Sequence, residues 1–145
     1  MTLETQNDLF NLLSFAPGPL WLILLIIPLN TWAMRLFDVC LLAGAILYAV
    51  IVLPGVPALI PVIASPTFAA IQAMLGTSEG TLASWNHMIL GDLWIGRWVV
   101  HDMARLGDSA WLRLPFLITI LFFGPLGWAA YLIYRILRHK RLALV

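Results

Sequence analysis

The stretch SWNHMILGDLWIGRWVVHD, residues 84–102, is typical of a membrane helix except for five ionisable side chains. These are His87, Asp92, Arg97, His101 and Asp102. An uncompensated charge at the centre of a bilayer costs about 2.5–3.5 kcal/mol on insertion scales, so ionisable groups there are functional candidates by default. The stretch therefore predicts a helix that carries a site within the membrane.

The composition indicates an integral membrane protein. Of 145 residues, 62% are hydrophobic and 10% are charged, and the mean hydropathy is +0.96. Soluble domains are about 45–50% apolar and about 25% charged. Eight Lys and Arg residues form no basic stripe, so nucleic acid is not an expected partner. Cys40 is the only cysteine, which excludes an internal disulfide and a cysteine metal cage.

Four segments are apolar and long enough to cross a hydrocarbon core, which takes roughly 20 helical residues. They cover about residues 9–29, 36–53, 81–104 and 112–137. Pro17 and Pro19 predict a kink in the first span, and Pro125 predicts a bend in the last. We expect one all-α domain over residues 1–145, an integral membrane four-helix bundle with Pro-kinked first and last spans.

Shorter signals lie between and after the spans. Four prolines in residues 54–66 predict that no long helix continues there. Gly76 predicts the end of a short interfacial helix. The basic tail that contains Arg135 is expected on the cytoplasmic side by the positive-inside rule. The N-terminus lacks the basic region of a signal peptide, and we expect a bacterial inner membrane.

Helical geometry sorts the polar residues of the third span. At about 100° per residue, Asp92 lies about 140° away from His87. The face that carries His87 also carries, within about 40° of it, Gly91, Trp94, Trp98 and His101. The candidate catalytic residues are Asp92 as a proton donor or ligand anchor, His87 as a base or hydrogen-bond partner, and Arg97 as the charge that tunes Asp92. The expected ligand-binding residues are Trp85, Gly91, Trp94, Trp98, His101 and Asp102.

The same geometry excludes several kinds of site. His87 and His101 lie about 21 Å apart along a helix, too far to share a metal ion. No metal site and no cofactor is predicted, because the chain has no zinc motif, P-loop or dinucleotide fold signature. Simpler interpretations stay open: Asp92 and Arg97 as a structural ion pair, the tryptophans as packing residues, and His101 with Asp102 as part of an interfacial charge cluster.

With these residues in view, the chain resembles the abscisic acid-deficient 4-like family of small membrane proteins. That family includes the plant protein required for neoxanthin synthesis. The resemblance rests on TLASWNHMILGDLWIGRWVVHD and on FGPLG in the last span. The positions that match the family pattern are Trp85, His87, Asp92, Leu93, Arg97 and Asp102.

The resemblance implies a four-helix membrane domain linked to converting an epoxy-carotenoid into an allenic one. Such an isomerisation needs a proton donor for the epoxide oxygen and a base for a neighbouring carbon, roles that a protonated Asp and a neutral His can fill. The substrate class implied is a carotenoid or another isoprenoid, and whether the chain is an isomerase or only binds the ligand stays open.

One alternative is a non-catalytic membrane subunit or assembly factor, which would pack against partner helices through Ala43–Ala45 and the tryptophan face. The expected partners are membrane lipid, the isoprenoid ligand, and either further copies of the chain or the subunits of a membrane complex. A proton or solute conduit is disfavoured, because the polar residues are too few to line a path.

Overall fold

The computed structural model describes residues 2–141, and all regular structure in that range is helical. The all-α prediction is therefore confirmed. A short 3-10 turn, Leu53–Gly55, separates the third helix from the fourth. The eight helices of the described range are α1 Leu3–Phe15, α2 Gly18–Ile26, α3 Thr31–Val52, α4 Val56–Ala64, α5 Phe68–Leu75, α6 Ser78–Arg105, α7 Ala110–Phe123 and α8 Pro125–His139.

Two helical stretches are long and apolar enough to cross a membrane, Leu3–Ile26 and Thr31–Ala64. α6 has 28 residues and is therefore about 42 Å long, but its charged side chains make it less apolar than these two. The apolar stretches indicate association with a membrane. These two stretches do not confirm four spans in one bundle.

The described residues form two compact units. The first contains the N-terminal residues up to Ala16 together with Val39–Leu90. The second contains Pro17–Asp38 and the chain from Gly91 onward. α3 and α6 each contribute to both units, so the residues proposed for one site on α6 are divided between them.

The first unit has a small core in which Leu13, Ile51 and Leu82 are buried. α3 and α6 approach each other at Gly44, where a Cβ atom would lie 2.7 Å from Cδ2 of Leu90. Small residues allow this kind of close helix contact in membranes. The small-residue patch of α3 is thus used at Gly44 for packing within the chain.

The ends of the helices in this region follow the sequence signals. α5 begins after Thr67, whose side chain accepts a hydrogen bond from the backbone N–H of Ala70, and it ends at Gly76 as predicted. The proline-rich segment does stop α3, but it then forms α4 with Pro61 inside it. A helix of nine residues tolerates this proline because only one backbone hydrogen bond is lost.

In the second unit, α7 and α8 fold back on each other as a helical hairpin. The ring centroids of Phe116 and Tyr134 are 5.2 Å apart, whereas 18 residues along one helix would separate them by about 27 Å. The expectation of one bent span over residues 112–137 is therefore wrong. The two helices have 14 and 15 residues and are each only about 21–23 Å long.

Two glycines make the hairpin possible. Gly124 has φ +32°, a conformation that is strained for other residues. Gly127 lies against the backbone of Ile120, and a Cβ atom at this position would overlap it. The predicted bend is thus a complete reversal, which depends on the absence of a side chain at Gly127.

α8 carries polar groups inward and apolar groups outward. Tyr131 and Arg135 are buried, while Leu126, Ile133 and Leu137 are 61%, 58% and 75% exposed. An exposed apolar surface of this kind is unfavourable in water and suits a helix that contacts lipid. The pattern gives the second unit its own indication of a membrane environment.

Candidate functional site

His87 lies beside a large cavity in the first unit, with a volume of about 870 Å³. The wall of this cavity comes from the end of α3, from α4 and α5, and from the first turns of α6. Most of the lining is aliphatic, and Tyr48, Glu79 and His87 supply the ionisable groups. The imidazole ring of His87 lies 5.8 Å from the ring of Tyr48, centroid to centroid. The predicted base thus faces a large apolar cavity.

Trp85 packs outside this cavity, on the side of α1. Its indole ring lies 5.5 Å from the ring of Phe10. The indole N–H donates a hydrogen bond to Oγ of Ser14 at 3.0 Å. The structure therefore gives Trp85 a packing role between α6 and α1, and it does not line the cavity.

Asp92 lies in the second unit, beside the turn between α7 and α8. A Cβ atom at Gly124 would overlap its carboxylate, so the absence of a side chain there makes the space that the carboxylate occupies. Among the described residues, no hydrogen bond to Asp92 is found. Gly91, in contrast, has open space around its Cα atom.

Arg97 is paired with Asp38 and not with Asp92. One terminal nitrogen of Arg97 lies 2.8 Å from Oδ2 of Asp38 on α3, and the side chains are 31% and 51% exposed. Arg97 therefore does not form the ion pair with Asp92 that the sequence left open, and its role in tuning Asp92 stays a prediction. No pattern in the sequence indicates this pairing, because 59 residues separate the two partners.

The other residues on the predicted face of α6 have different surroundings. Trp94 is 61% exposed. Trp98 packs edge-on against Tyr131 with 5.5 Å between ring centroids. His101 has a buried Nε2 atom with no hydrogen-bond partner in the described chain. These three residues do not line the cavity beside His87.

Asp102 is the centre of a buried polar network between α6 and α8. Its Oδ2 accepts hydrogen bonds from Nε of Arg135 at 2.7 Å and from the hydroxyl of Tyr131 at 2.5 Å. The side chains of the ion pair are 8% and 2% exposed. A charge-assisted arrangement of this kind fixes the register of the two helices. Asp102 is thus held by the protein and is not a free ligand-binding group.

A second network repeats the arrangement one turn farther along. Asp108 accepts a hydrogen bond from the hydroxyl of Tyr134 at 2.8 Å, and its Oδ2 lies 3.0 Å from Nε2 of His139. Both networks connect α8 to α6 or to the turn that follows it. They show that α8 runs parallel to α6 with α7 returning between their ends.

Tyr131 and Arg135 lie near the end of the predicted last span, and Arg135 was counted with the basic tail, so neither was predicted to contact Asp102. A signal was available in the four-residue spacing of Gly127, Tyr131, Arg135 and His139, which places all of them on one helical face. Within the described residues, no three His, Cys, Asp or Glu side chains come together as they would around a metal ion.

Comparison with known proteins identifies the family. The family model described as ABA DEFICIENT 4-like matches residues 8–131, most of the chain. The chain belongs to this family. The match includes His87, Asp92 and Asp102 and ends at Tyr131, before Arg135. No curated protein and no solved structure is found to be similar to the chain.

Proposed function

We propose that this member of the ABA DEFICIENT 4-like family is an integral protein of the bacterial inner membrane that binds a carotenoid or another isoprenoid in the cavity beside His87. The observation that carries the proposal is the cavity of about 870 Å³ with a mainly aliphatic wall. Small-molecule sites are typically cavities of about 300–1,000 Å³ with apolar linings and few polar groups. A long hydrocarbon ligand fits that description.

The polar groups of the cavity fit a ligand with a small oxygen function. Tyr48, Glu79 and His87 each offer a hydrogen-bonding group to a hydroxyl or an epoxide, and the rest of the wall solvates a polyene. Such a division between an apolar body and one polar anchor orients a ligand within a pocket. The proposal therefore assigns His87 the role of anchor.

Isomerisation of an epoxide is the reaction that this anchor could support. A proton leaves the carbon next to the epoxide, the ring C–O bond breaks, and the oxygen takes up a proton, with no net oxidation. His87 serves as the base in this scheme. Two carboxyl groups are candidates for the acid: Glu79, which shares the cavity, and Asp92, which the sequence pattern favoured.

The first experiment is an absorption spectrum and a mass analysis of the solvent extract from protein purified out of its native membrane. We expect an isoprenoid in the wild type and its loss when Ala73→Phe fills the cavity. His87→Gln should reduce the bound amount, whereas the matched control His139→Gln, which lies in the second unit, should retain it. A colourless wild type with a stoichiometric partner subunit would contradict the proposal and support an accessory role.

The acid is identified by a second pair of variants. If the protein turns over an epoxy-carotenoid, Glu79→Gln should abolish the reaction while binding persists, and Asp92→Asn should not, because only Glu79 shares the cavity with His87. The opposite result would restore Asp92 as the acid. Binding without turnover in the wild type would leave the protein as a carrier and remove the isomerase part of the proposal.

A further inference from the structure

Arg113 is a buried cation in the second unit whose charge has no counter-ion among the described residues. The residue is 8% exposed, and its Nε atom is buried without a hydrogen-bond partner. An arginine cannot escape this situation by losing its proton, because its pKa is too high. Burying an unpaired charge is unfavourable, so an anion that is not among the described residues would stabilise this arrangement.

A cavity of about 310 Å³ lies directly beside Arg113. The rest of its wall comes from Asn30, from Ala110 and from the apolar residues Leu24 to Leu29, which lie at the end of α2 and just after it. The cavity is large enough for a phosphate group and part of what the phosphate carries. It is separate from the cavity beside His87, with which it shares no residue.

Two helices begin at this cavity. Asn30 caps α3, its Oδ1 accepting a hydrogen bond from the N–H of Ala33 at 3.0 Å. Ala110 is the first residue of α7, and no side chain caps that helix. The N–H groups of a first helical turn have no partner within the helix, and the helix dipole favours negative charge there. Helix N-termini bind phosphate groups for this reason.

The second unit holds further buried nitrogen atoms that lack a partner in the described chain. Arg97, Asp38 and Arg113 all act electrostatically on His101. Asp38 is the one carboxylate of this group, and it is paired with Arg97. Nε of Arg97 and Nε2 of His101 are also buried without hydrogen-bond partners in the described chain. Nε of Arg97 and Nε of Arg113 are thus two buried donors without an acceptor among the described residues.

We propose that the cavity formed by Asn30, Ala110 and Arg113 binds a phosphate group. The guanidinium supplies two parallel N–H donors, which match two phosphate oxygens, and the first turn of α7 supplies backbone N–H groups. The phosphate comes either from the headgroup of an anionic lipid, whose chains would lie along the Leu24–Leu29 wall, or from a free anion. This site is independent of the ligand proposed for the cavity beside His87.

The test is a calorimetric titration of the purified full chain in a neutral detergent. Two probes are used separately: phosphatidylglycerol with short acyl chains, and inorganic phosphate. Arg113→Gln should raise the Kd at least about tenfold, whereas Arg105→Gln, which removes an exposed arginine, should leave it unchanged. Loss of phosphatidylglycerol binding alone identifies a lipid headgroup, and loss of inorganic phosphate binding identifies a free anion.

Two results would overturn the proposal: a wild type that binds neither probe, or an Arg113→Gln protein that binds both as the wild type does. Thermal unfolding without added anion provides a second measurement. Because the variant removes a buried unpaired charge, its melting temperature should equal or exceed that of the wild type, and a large decrease would assign Arg113 a structural role instead. If Arg113→Gln does not fold, Arg113→Lys serves as the second variant. It keeps the charge but cannot donate two parallel hydrogen bonds, so it should bind the phosphate probe more weakly than the wild type does.

Discussion

Removal of the carboxylate of Asp102 should be among the most damaging changes in the second unit. The variant Asp102→Asn keeps the size of the side chain but takes away the buried negative charge that faces the guanidinium of Arg135. Because the two side chains are 8% and 2% exposed, solvent cannot replace the lost charge. Breaking a buried ion pair in this way costs about 3–5 kcal/mol.

The exposed pair of the same unit provides the matched control. Asp38 and Arg97 are 51% and 31% exposed, and exposed ion pairs contribute about 0.2–1 kcal/mol. Asp38→Asn should therefore change the free energy of unfolding several-fold less than Asp102→Asn does. At about 2–4 °C per kcal/mol for a chain of this size, Asp102→Asn should lower the melting temperature by roughly 6–20 °C.

The assay is thermal unfolding in detergent micelles, extended to a double-mutant cycle. Arg135→Gln also removes the hydrogen bond to the carbonyl of Arg141, so the single variants alone do not isolate the pair. The coupling energy between Asp102→Asn and Arg135→Gln does isolate it. A coupling energy no larger than that of the Asp38–Arg97 pair would refute the reasoning that burial makes the Asp102–Arg135 pair strong.

Three further substitutions test the packing of the helices by their unfolding midpoints. Gly124→Ala should destabilise by about 1–3 kcal/mol, because a positive φ is strained for alanine and its Cβ would overlap the carboxylate of Asp92. Gly91→Ala, with open space around it, should instead stabilise α6 by about 0.5–1 kcal/mol, and equal effects at both glycines would contradict this account. Asn86→Ala should cost about 1–3 kcal/mol, because the buried amide donates a hydrogen bond to the carbonyl of Gly44 at 3.2 Å, and an unchanged midpoint would show that water replaces this bond.

Local signals in the sequence were sufficient to predict several helix ends. Gly76 ends α5 as predicted, and the prolines from Pro54 onward end α3. These signals act within a few residues, through the missing N–H of proline and the missing side chain of glycine. The helical class and the family also followed from the sequence.

Contacts between residues far apart in the chain could not be predicted from a single sequence. Arg97 has Asp38 as its partner, 59 residues away, and nothing in the composition of α6 distinguishes that partner from Asp92. The reversal at Gly124 was missed for a related reason, since hydropathy is the same for one bent span and for two antiparallel helices. The prediction of one site on α6 treated the whole helix as lying in a single environment. The structure instead places His87 and Asp92 in different units.

The order of synthesis gives the pair of Asp102 and Arg135 a consequence for biogenesis. α6 leaves the ribosome before α8, so Asp102 has no counter-ion until the last helix of the described chain is made. A carboxylate without a partner opposes insertion of an apolar helix into lipid. The C-terminal part of α6 should therefore reach its final position only when the hairpin of α7 and α8 closes, so the second unit commits to its fold after α8 has been made.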